Sequence, residues 1–385
     1  MTKYKLLWQA LSNIEKGSIS IDLPNNEQKK YQAPKNGYDC DIKINNFDVI
    51  SQIIRSGDVG LGESYINNQW QTSDLANLLC FLTDNANILE KYFHANKFQS
   101  IILFLTTFLN KNSKNGSKKN ISFHYDLGNE FYELWLDESM TYSSALFDNK
   151  DISLKEGQYN KYNNILEKLS NNDILEIGCG WGGFAIEAAK KNFNIKCLTL
   201  SKKQQQYAKN KISSMAYNNQ INIALQDYRD EQGIYDNIVS IEMFEAVGQE
   251  YWSDYFNTLK RCLKKQGKAV LQIITIDDNV FKKYINRTDF IQKYIFPGGV
   301  LPSKEIIRNL CKDNNLKIIS EHSFGHDYVK TLKLWLDNFD SKEEEIIQLG
   351  FSQNFIKKWR FYLCYCIAGF SSTRTDVVQF ELVNS

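Results

Sequence analysis

The chain has 385 residues, 43% of them hydrophobic, with 46 Lys and Arg against 45 Asp and Glu and a formal net charge of +1. That length suits two domains, or one large domain with an appendage, and the balanced charge argues against a duplex nucleic-acid binder. Eight cysteines without a Cys-x-x-Cys pair, and four scattered histidines, predict no metal centre and reduced, mostly buried thiols in a cytoplasmic protein.

Met1-Thr-Lys-Tyr-Lys-Leu-Leu-Trp8 lacks the apolar run of a signal peptide. Residues 1–110 read as a small, mainly helical accessory domain with a short strand element. Asn46–Ile54 is expected to be helical, and Gly57, Gly60 and Gly62 mark a turn. Asp74–Leu82 carries apolar residues at helical spacing, with Ser73 or Asp74 as N-cap. Glu90–Leu109 forms another helix. Its most apolar stretch, Ile101–Leu109, has roughly half the length a membrane span needs, so any membrane contact is peripheral. Residues 111–120, Lys111-Asn-Ser-Lys-Asn-Gly-Ser-Lys-Lys-Asn120, are polar, basic and rich in breakers. They read as a linker, either a solvated hinge or a weak tether to anionic headgroups.

The pattern changes over residues 121–385. Short apolar runs at Asp173–Ile177, Ile195–Leu200, Ile221–Leu225, Asn237–Ile241 and Lys268–Thr275 alternate with helical segments at Gly183–Lys191, Lys202–Met215 and Trp252–Leu263. This alternation predicts a doubly wound, parallel α/β sheet, Rossmann-like, which binds ligands beyond the carboxyl ends of its strands.

The first strand runs into Gly178-Cys-Gly-Trp-Gly-Gly183, a loop whose backbone N–H groups and following helix let a ligand approach closely. The spacing matches a dinucleotide fingerprint. Two features oppose that ligand: Glu176 precedes the loop and would repel a pyrophosphate, and the second strand ends Cys197-Leu-Thr-Leu-Ser201 with no acid for a ribose. The order strand, acid, glycine loop resembles motif I of S-adenosylmethionine-dependent methyltransferases, whose cofactor is cationic. Gly178, Gly180, Thr199, Leu200 and Gln204 join Glu176 as expected cofactor contacts. Asp227, at the third strand's end, is placed to accept from an adenine amino group, with Tyr228 stacking on the ring.

Further blocks point to one family. They are His124-Tyr-Asp-Leu-Gly-Asn129, Phe131-Tyr-Glu-Leu-Trp-Leu-Asp137, Met140-Thr-Tyr-Ser-Ser144, Glu242-Met-Phe-Glu-Ala-Val-Gly248, Asp289-Phe-Ile-Gln-Lys-Tyr-Ile-Phe-Pro-Gly-Gly299, Gly325-His-Asp-Tyr328 and Thr331-Leu332. Over nearly its whole length the chain resembles the cyclopropane-fatty-acyl-phospholipid synthases and mycolic acid cyclopropane synthases. Leu61-Gly-Glu-Ser-Tyr65 resembles the accessory domain of the longer, phospholipid-acting members.

The resemblance implies a class I methyltransferase fold. A cis double bond in a phospholipid acyl chain takes the sulfonium methyl, a carbocation forms, and a base removes a proton as the ring closes. An alkene is a weak nucleophile, so alignment can supply about 7–11 kcal/mol at best, and the cation needs a dry, apolar site. The stretch Phe123 to Phe147 is rich in aromatics (Phe123, Tyr125, Phe131, Tyr132, Trp135, Tyr142 and Phe147). Most read as core; the resemblance assigns Tyr142 and Ser143 to the cofactor. It also implies a bound bicarbonate as base, held by Glu245, Tyr328 and the backbone N–H groups of Ser144 and Ile274. Ser144 stands where many members have Cys, and Gln272 where several have His. The Gln272 amide donates a hydrogen bond but carries no proton, which leaves a methyl or methylene branch open as the product. Cys366 occupies the place of a cysteine once held catalytic. With no basic neighbour in sequence it reads as a packing residue, and His124 and His326 read as structural donors. Phe281, Tyr284, Phe290, Tyr294, Phe296 and Pro297-Gly-Gly299 are candidates for an acyl slot.

The expected partners are therefore unsaturated phospholipid acyl chains, with no nucleic acid. Residence is expected to be cytoplasmic, with transient contact at the inner membrane surface and a homodimer open. Two other readings stand beside this one: a fatty-acid C-methyltransferase on the same fold, and a non-catalytic lipid-binding module.

Overall fold

The computed structural model describes residues 3–92, 112–125, 127–148 and 150–385. The expected helix Glu90–Leu109 falls outside them beyond Tyr92, as do its apolar run Ile101–Leu109, Lys111 and the side chains of Phe123 and Tyr125.

The N-terminal part is mainly helical, as expected, but holds a four-stranded sheet where a short strand element was expected. Strands β1 (Lys16–Asp22), β2 (Gln28–Gln32), β3 (Lys35–Ile44) and β4 (Trp70–Gln71) form a sheet in the order β2-β1-β3-β4. β1 turns Ile19 and Ile21 inward and Ser20 and Asp22 outward, the period of a half-buried strand. β2 (QKKYQ) and most of β3 are polar, so the hydrophobic alternation that announces a strand is weak there. The glycines expected to form a turn lie inside one kinked helix, Asp48–Ile66, whose break is Gly57 at φ 58°, ψ −132°. Gly62 is required for packing: a Cβ there would stand 2.5 Å from the Phe290 ring. Helix Leu75–Asp84 begins as expected, Asp74 accepting from the Asn77 N–H at 2.9 Å.

The second sheet is β5 (Asp173–Ile177), β6 (Asn194–Thr199), β7 (Ile221–Leu225), β8 (Tyr235–Ile241), β9 (Leu263–Ile276), β10 (Leu316–Ser323) and β11 (Thr375–Asn384), in the order β10-β11-β9-β8-β5-β6-β7. β5 to β9 are parallel, and β11 runs antiparallel between β9 and β10. β5 and β8 are neighbours although three strands apart in sequence, so the strand order reverses there and opens a crevice above their carboxyl ends. This is the doubly wound α/β sheet that the alternation of runs predicts.

Two parts of the chain deviate from expectation in ways that shape the site. The supposed linker is helical over Lys114–Tyr125. Asn112 and Ser117 are buried, and Asn112 Nδ2 donates to the Gly298 carbonyl at 2.8 Å, so tertiary contacts override poor local propensity. The N-terminal part also shares its core with the rest: helix Gln353–Ser371 packs on both Asp48–Ile66 and Leu75–Asp84. Asp58 Oδ2 accepts from the Phe290 N–H at 3.0 Å and the Tyr365 hydroxyl at 2.9 Å. The proposed division at 110 and 120 is thus one of sequence, laid over a continuous apolar core. Among the described residues, no helix is long and apolar enough to cross a membrane.

Candidate active site

The glycine loop is built by β5 and clamped by β6: the N–H groups of Gly178 and Cys179 both donate to the Leu198 carbonyl at 3.0 Å. Gly178 has φ 86°, and a Cβ there would lie 2.6 Å from Met243 Cγ, so neither the turn nor the space admits a side chain. One cavity sits on this loop. Glu176, Gly178 and Gly180 line it from β5, Thr199, Leu200 and Gln204 from β6, and Asp227 and Tyr228 from β7. Tyr142 and Ser143 close it from the segment before helix Leu154–Leu166.

Glu176 is 3% exposed, and its Oε2 has no hydrogen-bond partner. Burial pushes its carboxyl up to about 8. A desolvated acid on a cavity wall is a strong receptor for a cation and a poor one for phosphate. Glu176 lies with the thiols of Cys179 and Cys197 within 4.8 Å, a cluster that sequence spacing did not suggest. Burial holds the Cys197 thiol well above its usual range, so the thiol packs as a neutral group.

Other expected contacts are partly spent on neighbours. Arg229 forks onto Asp227, Nε to Oδ1 at 2.8 Å and a terminal nitrogen to Oδ2 at 2.7 Å, and its other terminal nitrogen donates to the Asn112 carbonyl at 3.2 Å. Arg229, which the sequence reading missed, thereby fastens helix Lys114–Tyr125 to the cavity rim. Tyr228 packs edge-on against Tyr255, ring centres 5.3 Å apart. Thr199 Oγ1 donates to Gln204 Oε1 at 3.1 Å. The Tyr142 hydroxyl meets that of Tyr362 at 2.7 Å, and its ring stacks at 5.6 Å from His124. Ser143 Oγ accepts from Lys161 Nζ at 2.6 Å.

The residues implied for a bicarbonate converge, but on Glu242 rather than on Glu245. Glu242 Oε1 accepts from the Ser144 N–H at 2.9 Å and from Gln272 Nε2 at 2.8 Å, and its Oε2 accepts from the Tyr328 hydroxyl at 2.6 Å. Each donor has its own support. The Ala145 N–H donates to Thr331 Oγ1 at 3.1 Å and the Phe147 N–H to Asp327 Oδ2 at 2.8 Å, which sets the Ser144 backbone against helix Gly325–Ser341. Gln272 Oε1 accepts from Gln379 Nε2 at 3.1 Å, and Gln379 Oε1 accepts from Lys168 Nζ at 2.9 Å, so the amide's donor end is directed at Glu242. Glu242 also lines the cavity above the glycine loop, which Glu245 does not.

Glu245 accepts from the Ile274 N–H through Oε1, and its Oε2 is buried with no partner. Burial first, and the neighbouring Glu242 charge second, push its carboxyl up to about 8. Burial raises Glu242 as well, opposed by the Lys161 charge and the three donors. Lys161 is fully buried, which pushes its ammonium down to about 7 against the pull of Glu242 and Asp137. These residues do not fit a bicarbonate: three of its implied donors are spent on Glu242, and two adjoining carboxyls would repel a further anion.

Cys366 is half-buried, and desolvation with the Asp289 and Glu242 charges holds its thiol protonated, which removes it as a nucleophile. His124 is buried and neutral; its Nδ1 meets the Ile295 carbonyl at 3.2 Å, and burial lowers it to about 3. His326 is exposed. Much of the expected acyl slot is packed structure. Phe290 is 0% exposed against Phe361 at 4.6 Å, Tyr294 donates to Glu63, and the Tyr284 hydroxyl accepts from the Leu301 N–H at 3.1 Å. Phe290 and Tyr294 thus join the C-terminal part to helix Asp48–Ile66, Tyr284 braces its own segment, and none of the three lines the cavity. Of the seven sequence-stretch aromatics, Phe131, Tyr132, Trp135 and Phe147 are core, as read.

Residues 112–380 match the family model described as mycolic acid cyclopropane synthetase. The tuberculostearic acid methyltransferase of Mycobacterium tuberculosis is 33% identical over 344 residues, 86% of this chain and 80% of its own length. The cyclopropane-fatty-acyl-phospholipid synthase of Escherichia coli K12 is 32% identical over 352 residues, 90% of this chain and 88% of its own. A mycolic acid cyclopropane synthase solved with SAH and CTAB superposes with a TM-score of 0.65 at 30% identity, covering 69% of this chain and 98% of that one. The chain belongs to the mycolic acid cyclopropane synthetase family and is an S-adenosylmethionine-dependent methyltransferase.

Proposed function

From that membership we propose that the chain is a cyclopropane-fatty-acyl-phospholipid synthase, adding a methylene from S-adenosylmethionine across the cis double bond of a phospholipid acyl chain. The observation that carries this reading is the pairing of two acids on one cavity. Glu176 is a desolvated receptor for a cationic cofactor, and Glu242 is a held carboxylate just beyond the carboxyl end of the neighbouring strand β8. A simple heteroatom methyltransferase has little use for the second, whereas reaction through a carbocation needs a base beside a dry site. Bound above the glycine loop, the cofactor supplies an electrophilic methyl group. Tyr142, among Trp135, Tyr132 and Trp335, gives that region aromatic faces, each able to stabilise cationic charge by about 0.5–2 kcal/mol. Substrate would come from a membrane surface touched peripherally.

The second reading, a fatty-acid C-methyltransferase leaving a methyl or methylene branch, is favoured by the tuberculostearic acid relative and by the glutamine at 272. Incubation of the protein with labelled cofactor and monounsaturated phospholipid vesicles, followed by mass spectrometry and NMR of the acyl chains, separates the two. A ring adds CH2 and removes the alkene, a methylene branch adds CH2 and keeps one, and a saturated branch needs a reductant. No label in the acyl chains would refute both.

A further inference from the structure

We propose that Glu242 is itself the base of the reaction, seated where the resemblance implies a bicarbonate, so that turnover needs no added anion. The inference rests on the one-carbon transfer proposed above and names its proton acceptor.

A carboxylate and a bicarbonate present the same planar O–C–O fork. Donors from three separate elements address that fork here: the Ser144 N–H, Gln272 Nε2 on β9 and the Tyr328 hydroxyl on helix Gly325–Ser341. Oε1 takes two of these bonds and Oε2 takes one, which leaves Oε2 with a lone pair. Glu242 lines the cofactor cavity, while Ser144, Gln272 and Tyr328 stand behind it. The carboxylate is therefore the face that this cluster presents to the cavity. The backbone is bent to achieve this: Glu242 sits at φ 48°, a region a glutamate occupies only when its surroundings hold it there. Its N–H is fixed on the Gln272 carbonyl at 2.8 Å. Buried Lys161 adds a positive charge that favours the ionised acid.

The step balances without another reagent. The alkene π pair forms a C–C bond to the sulfonium methyl as the C–S bond breaks, leaving that pair on sulfur. Glu242 Oε2 then takes a proton from the new methyl. The freed C–H pair closes the third bond of the ring, and the proton passes to solvent. The products are the cyclopropane lipid, S-adenosylhomocysteine and H⁺. If a 1,2-hydride shift first moves the cation to the methyl-bearing carbon, removal of a proton from that methyl by the same oxygen leaves the methylene branch, so the base serves either product.

Three measurements test the assignment. Wild-type turnover in degassed buffer scrubbed of CO2 is expected to match that with added bicarbonate within about twofold. Glu242→Gln keeps the shape but not the basicity, and should lower kcat by about 10²–10⁴-fold with cofactor Kd from calorimetry within about threefold. Glu242→Gly relieves the positive φ and vacates the fork; it should be inactive alone and recover at least about tenfold with added formate or bicarbonate. Circular dichroism melting establishes that each variant is folded. Wild-type activity that disappears without bicarbonate, a Glu242→Gln enzyme at wild-type rate, or a folded glycine variant that neither anion revives would overturn the proposal alone. Failure of the wild type to label any acyl chain would instead overturn the parent reading.

Discussion

Gln272 Nε2 donates to Glu242 Oε1 at 2.8 Å, and the amide cannot turn over because its own oxygen is held by Gln379. A glutamine in this place is a fixed donor. Gln272→Leu removes one hydrogen bond to the charged form of Glu242 and leaves Gln379 Nε2 unpaired. Hydrogen bonds to a carboxylate lower its pKa, so losing one raises it. The groups that remain around Glu242 are Lys161, Ser144, Tyr328 and Glu245. The acid limb of the kcat profile should therefore move to higher pH, with kcat down about 10–100-fold and cofactor affinity unchanged. A limb that stays in place would show that Gln272 does not tune this carboxylate.

Glu176 should couple cofactor binding to pH. Its carboxyl lies at about 8 in the cofactor-free protein, raised by burial. A cation favours the ionised form, so binding must expel the proton below that value. Affinity for S-adenosylmethionine should rise between pH 6 and 8 and level off above, with proton release visible by calorimetry in buffers of different ionisation enthalpy. Glu176→Gln should weaken binding at least about tenfold (~1.4 kcal/mol) and flatten the pH dependence.

The same acid should cost the empty protein stability. A folded-state pKa above the unfolded one means that the native state binds more protons, so stability is fullest below about 4.5 and falls as pH rises toward 8. Glu176→Gln should raise the melting temperature at pH 8 and change it little at pH 4.5. An equal shift at both values would contradict the burial argument.

Arg229 joins Asp227 to the backbone at Asn112. Arg229→Ala leaves Asp227 without its fork and releases helix Lys114–Tyr125 from the rim. Proteolysis near residues 112–125 should accelerate, and cofactor affinity should fall by roughly tenfold. Arg229→Lys should recover little, because a lysine cannot make the bidentate contact.

Gly178→Ala should abolish cofactor binding and destabilise the fold by about 1–3 kcal/mol, since it combines a positive φ with a Cβ set against Met243. Urea denaturation measures the loss. Gly350→Ala, where φ is also positive but nothing lies within 4 Å, isolates the backbone share.

The parallel half of the large sheet was legible because it is written locally. Asp173–Ile177 and Ile221–Leu225 are short apolar runs bounded by breakers, and both strands fall where the runs predict. β2 was invisible because QKKYQ earns its place by pairing with β1, and no local pattern records a partner. The linker reading failed for the same reason: the breakers in Lys111–Asn120 predict coil, and the contacts to Arg229 and Gly298 lie more than a hundred residues away.

By itself, the sequence determined the class of cofactor and the family, because a strand, an acid and a glycine loop are contiguous and their chemistry follows from residue type. It also named the donors Ser144, Gln272 and Tyr328. Only the tertiary structure decided what they hold. Glu242 and Glu245 are three residues apart, and residue type cannot distinguish them. Their different placement depends on a positive φ at 242 and on donors from three elements meeting there, so that Glu242 lines the cavity while Glu245 does not and keeps a buried, unpartnered oxygen.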